Sequence, residues 1–188
     1  MRPLLAALLL CGAGIATAAV QQIVEEGSGL PGWQWQGEGV SFTFNQRLPD
    51  QTRAFFQGRG FTPQQAEPLA ADCVFQAIIR NGAGAAAPMT LNLAEWRVHP
   101  TGGSAQPLRL EAQWQEQWER TGVSQPARIA FRWSLFPTTQ HFEPGDWNMG
   151  MITLGLAPGS RFDLEVIWRS GAESRHQRFP AMQCATDN

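Results

Sequence analysis

The chain has 188 residues, 43% of them hydrophobic, and a formal net charge of −2, which is enough for one domain with a proper core. Its basic residues are all Arg and lie scattered, with no basic run and no aromatic–basic interleaving, which argues against a nucleic-acid surface. No G-x-S-x-G, H-E-x-x-H, P-loop or dinucleotide fingerprint occurs, so the expectation is a protein that is not an enzyme.

Residues 1–18 read as a secretory signal peptide. Arg2 precedes an apolar run from Leu4 to Leu10, and Ala16-Thr17-Ala18 forms a small-residue cleavage site. The run is too short to span a bilayer. The expected location is therefore periplasmic or secreted, in a bacterium, with no membrane span in the mature chain. Cys11 falls in the discarded segment, which leaves Cys73 and Cys184. In an oxidising compartment the pair reads as a structural disulfide ahead of a thiolate metal site, since neither lies in a C-x-x-C.

Residues 19–32 read as a polar, extended or mobile lead. A single β domain with a helical insertion follows over 33–188. Trp33 and Trp35 share one parity and Val40, Phe42 and Phe44 the other, giving two short strands or a bulge near Gly37–Gly39. Residues 49–72 read as a helical hairpin. Pro49-Asp50 opens its first helix and Gly58-Arg59-Gly60 closes it, and Thr62-Pro63-Gln64-Gln65 caps the second.

From Cys73 onward the pattern is all-β. Strands are expected over 74–80, over 91–98, over 108–114 with Leu108, Leu110, Ala112 and Trp114 on one face, and over 128–136 with Ile129, Phe131, Trp133 and Leu135 on one face. Trp114 and Trp118 are four apart, so a helical turn is expected after the third of these. The last strands span 147–156, 162–169 and 175–183. Some seven strands between Gly/Pro turns predict an antiparallel β-sandwich.

The stretch with chemical content runs from His141 to Leu156. At period two, Gly150, Ile152, Leu154 and Leu156 share one face and Trp147, Met149, Met151 and Thr153 the other. The aliphatic face is the better core face. The opposite face then carries two thioethers about 6.5–7 Å apart at the backbone, with His141 a short turn upstream. Two soft sulfurs and an imidazole suit Cu(I) better than a hard cation. The same methionines also fit as core filler. His99 and His176 are weaker ligand candidates, Met89 and Met182 fit packing, and Asp146 fits a turn cap.

Two resemblances attach to these residues. The stretch from Cys73-Val-Phe-Gln-Ala-Ile-Ile-Arg-Asn-Gly82, through the Pro144-Gly145 turn, to Asp163-Leu-Glu-Val-Ile-Trp168 resembles secreted bacterial immunoglobulin-like domains. That likeness covers roughly 73–184 and implies an immunoglobulin-like sandwich. The set His141, Met149, Met151 and Trp147 resembles the site of Cus-type periplasmic Cu(I) chaperones, in which one His and two Met bind copper under a Trp cap. It implies His141, Met149 and Met151 as metal ligands, Trp147 as metal-shielding residue and a copper donor or acceptor protein in the periplasm.

The expected function is thus Cu(I) binding as a copper chaperone or delivery factor. The alternative is a metal-free immunoglobulin-like module that docks a protein through the Trp–Met stripe. A third reading is a carbohydrate-binding module stacking sugars on Trp33, Trp35, Trp114 or Trp118.

Overall fold

The computed structural model describes residues 18–187, so the expected signal peptide lies outside the described residues except for Ala18. The molecule is mainly β, with two antiparallel sheets compatible with a β-sandwich, and four helices among the described residues. Sheet A runs β1 (Gln21–Val24), β2 (Pro31–Gly37), β3 (Val40–Gln46), β4 (Val74–Asn81) and β8 (Trp147–Thr153), in that spatial order. In sheet B, β9 (Arg161–Ser170) pairs with β10 (Glu173–Gln183) and β5 (Met89–Asn92), and β7 (Thr139–Phe142) lies beyond β5. The short β6 (Arg97–Pro100) also pairs with β9.

Alternation sets the inner faces. Phe42, Phe44, Phe75, Ala77, Ile79 and Ile152 of sheet A meet Met89, Leu91, Phe142, Leu164, Val166 and Trp168 of sheet B in one buried cluster. Trp33 and Trp35 belong to it. The two parities around Gly37–Gly39 belong to two strands joined by a tight hairpin, with Glu38 and Gly39 both at positive φ, as a two-residue turn requires. Part of the expected lead is ordered as β1, which pairs with β2 from Gln21↔Gln34 to Val24↔Pro31. Cys73 and Cys184 form a disulfide with Cα atoms 5.3 Å apart, tying the start of β4 to the end of β10.

Two expected strands are helices instead. Residues 108–114 run into α3 (Glu111–Arg120), and residues 128–136 lie mostly in α4 (Gln125–Ser134). In α3 the buried pair is Trp114 and Trp118, spaced four apart, while the Leu110 N–H donates to the Gln113 side chain at the start. In α4, Ser124 caps the N-terminus, Pro126 occupies the first turn, and Ala127 and Phe131 are buried one turn apart. Ile129 and Trp133, assigned with Phe131 to one strand face, point to solvent at 49% and 84% exposure. Every second residue of an aromatic-rich run satisfies strand and helix patterns alike at positions four apart, and burial separates them.

These helices join α1 (Pro49–Gln57) and α2 (Pro63–Ala70) around a second core. Phe56, Phe61, Ala66 and Leu69 come from the first pair, and Trp114, Trp118, Val123, Ala127 and Phe131 from the second excursion. The layer sits on the outer side of sheet A at one end of β8. There the Trp114 indole N–H donates to the Thr153 hydroxyl, 2.9 Å, and Met151 packs against the cluster.

Asp72 locks this end. Its buried carboxylate accepts from the backbone N–H groups of Leu154 (3.2 Å) and Gly155 (2.9 Å) and lies 3.5 Å from Arg109. Burial pushes its pKa up to about 6 against the opposing pull of the Gly155 N–H and Arg109. The folded state therefore binds the proton more tightly than the unfolded chain. Charging Asp72 costs stability above its folded pKa, and that stability is regained as pH falls through it. Between about pH 7.5 and pH 5 the gain should reach about 1 kcal/mol. Asp72→Asn, which keeps an acceptor and cannot titrate, should lack that gain in parallel urea titrations.

Candidate functional site

The expected core face of β8 is where the alternation puts it. Ile152 and Leu154 are buried in the sandwich core, and Trp147, Met149 and Met151 lie on the opposite, outer face of sheet A. Their neighbours on β4 are Arg80, Ile78 and Gln76 respectively. Trp147 is 48% exposed, and the Arg80 guanidinium lies 4.6 Å from its ring centroid, a cation–π contact. Met149 is 47% exposed, and Met151 is partly covered by the helical layer.

Gly150 sits between them because the chain at Leu135–Phe136 crosses there. The Phe136 N–H donates to the Met151 carbonyl at 2.8 Å. A Cβ on residue 150 would overlap the backbone of both crossing residues.

His141 is elsewhere. It belongs to β7 of sheet B and pairs with Thr90 in register, on the outer face of that sheet. Its Nδ1 is 3.0 Å from the Thr90 hydroxyl and its Nε2 3.0 Å from a Glu143 carboxylate oxygen. The turn at 143–146 carries the chain from sheet B to sheet A. Asp146 accepts there from the Glu143 N–H, the Gly145 N–H donates to the Asn81 carbonyl, and the Asn81 N–H donates to the Asp146 carbonyl. The structure thus brings Met149, Met151 and Trp147 onto one face and does not bring His141 to them.

His99 pairs with Glu165 at 3.0 Å, and Met89 and Met182 are fully buried. Among the described residues no group of three or more His, Cys, Asp or Glu side chains is placed to hold a metal. Trp33, Trp35, Trp114 and Trp118 are all buried in the two cores, so none offers a face to a sugar.

What the outer face does form is a groove of about 560 Å³. Gln76, Met149, Gly150 and Met151 make its floor, Thr52 and Phe55 of α1 and Trp133 and Ser134 of α4 its helical wall, and the β1–β2 turn at Glu25, Glu26 and Ser28 its far rim. The helical layer covers only one end of the outer face, which leaves this cleft between helices and sheet.

The polar end is a continuous hydrogen-bond chain. Arg47 donates to both carboxylate oxygens of Glu25, at 2.7 and 2.9 Å, and to the Gln76 carbonyl. The Gln76 amide in turn donates to the Met149 sulfur at 3.1 Å. Burial works against the Glu25 charge, yet the bonds from Arg47, Ser28 and Asn45 hold its carboxyl below the usual range. Glu26 has no ion-pair partner among the described residues.

Sequence reasoning missed Trp133 and this chain as parts of the site; the Phe55–Phe56 pair was open to partner contact or core packing, and the structure puts Phe55 on the groove and Phe56 in the helical core. The available signal was the pair Ile129 and Trp133, four apart on a helix whose buried stripe is Ala127 and Phe131. Comparison with known proteins adds no relative: no family model, curated protein or solved structure matches the chain.

Proposed function

We propose that the protein is a metal-free binding module of the bacterial cell envelope, built on an immunoglobulin-like sandwich and exported by its N-terminal signal. Its groove takes an extended segment of a partner protein bearing a large apolar side chain next to a Lys or Arg. The observation that supports this reading is the exposure of Trp133, at 84%, on the wall of a cleft floored by Met149 and Met151. An exposed indole beside flexible thioethers is a typical anchor for apolar side chains. Glu25 is neutralised by Arg47, so the rim presents the Glu26 carboxylate to the solvent side, and a basic neighbour complements it.

A second reading retains Cu(I), carried by a copper chaperone or delivery factor. Both thioethers line the same groove, and they suit that ion without His141.

Selection of random displayed peptides on the immobilised mature chain tests the first reading. The expected motif is a large apolar residue beside Lys or Arg. Trp133→Ala or Met149→Asp should weaken selected peptides at least about tenfold, and Glu26→Gln should erase the basic preference. A motif that survives Trp133→Ala, or no motif at all, overturns it. An anaerobic Cu(I) competition titration decides the second reading: one equivalent taken by the wild type and none by Met149→Leu/Met151→Leu supports copper.

A further inference from the structure

We propose that Met149 is a selective oxidation site and that Gln76 serves as the hydrogen-bond donor that receives its sulfoxide. Among the described methionines, Met89 and Met182 are sealed in the sandwich core; Met149 and Met151 both line the groove floor, but Met151 is partly covered by the helical layer whereas Met149 is 47% exposed. Oxidation of a thioether follows exposure, so peroxide in the surrounding compartment reaches this sulfur first.

The step balances with a hydroperoxide as oxidant. A sulfur lone pair attacks one peroxide oxygen, the O–O bond breaks and an S–O bond forms. Sulfur loses two electrons. The proton on the attacked oxygen passes to the departing oxygen, which leaves as water or an alcohol.

The product fits the polar chain. The Gln76 amide already donates to Met149 Sδ, and its carbonyl is held by Arg47, which is itself anchored on Glu25. The Arg47 bond fixes which end of the amide faces the sulfur and polarises its N–H groups. A sulfoxide oxygen is a stronger acceptor than a thioether sulfur. The unbranched side chain can rotate to present that oxygen to Gln76. The groove floor then becomes polar, so on the docking reading above, which this consequence rests on, the apolar segment is released.

Graded peroxide treatment of the folded chain, followed by peptide mass mapping with fragment ions that separate Met149 from Met151, tests the site. Met149 should gain oxygen about tenfold faster than Met151, while Met89 and Met182 stay unmodified. The melting temperature should fall little on oxidation of the wild type and clearly more for Gln76→Leu. Equal rates at Met149 and Met151 overturn the proposal, and so does an oxidation-induced shift that Gln76→Leu leaves unchanged. If Met149 oxidises selectively but groove peptides bind the oxidised chain as before, the oxidation site stands and the docking reading falls.

Discussion

Phe131→Ala should unfasten the helical layer, at a cost of about 3–5 kcal/mol. The Phe131 ring is fully buried, and its centroid lies 5.5 Å from that of Phe56, 5.9 Å from Trp114, 5.6 Å from Trp118 and 6.3 Å from Phe61. It touches rings from both excursions, so truncation leaves a cavity none of them can fill by a small shift. Chemical denaturation followed by far-UV circular dichroism should show helical signal lost at lower denaturant than in the wild type. Ile129→Ala, on the solvent side of the same helix, should stay within about 0.5 kcal/mol. A cost for Phe131→Ala as small as that would mean that the second core does not hold the helices.

Removing the disulfide should be as damaging to the sandwich. Cys73 and Cys184 are separated by 111 residues, and in the chain-entropy model a closed loop of that length is worth about 4–5 kcal/mol. The bridge is buried in the sandwich core, beside the Cys73 N–H bond to Leu156 and the Cys184 N–H bond to Ser160. It fastens sheet A to the last strand of sheet B. A Cys73→Ala/Cys184→Ala variant should show a lower denaturant midpoint, and the wild type with reductant should match it. A midpoint unchanged in both would mean that the loop is already constrained in the unfolded chain.

The strands of both sheets were legible where one face is buried and the other wet, as in Phe162, Leu164, Val166 and Trp168 of β9. The cystine was legible because two distant cysteines remain once Cys11 is assigned to the expected leader. The helices of the second excursion were not. Trp114 and Phe131 belong to period-two runs of β-favouring residues, and the competing signals were small: a Ser124 cap, Pro126 in the first turn and the spacing of Trp114 and Trp118. Parity also placed Met149 and Met151 on the outer face correctly, because alternation is local. The relation of His141 to them is not local. Proximity in sequence across a turn says nothing about the face reached when that turn passes from one sheet to the other. The groove was hidden for the same reason: Trp133, Phe55 and Glu26 meet only through the tertiary fold.

The helical layer is assembled from two excursions that leave different sheets, one between β3 and β4 and one between β6 and β7. Each has an apolar stripe that sheet A covers only in part, at Met151 and Thr153 of β8, and each covers the rest of the other's. Either one alone would expose Phe56 and Phe61, or Trp114, Trp118 and Phe131, to water. The two excursions should therefore behave as one cooperative unit: deleting either should unfold the helices of the other.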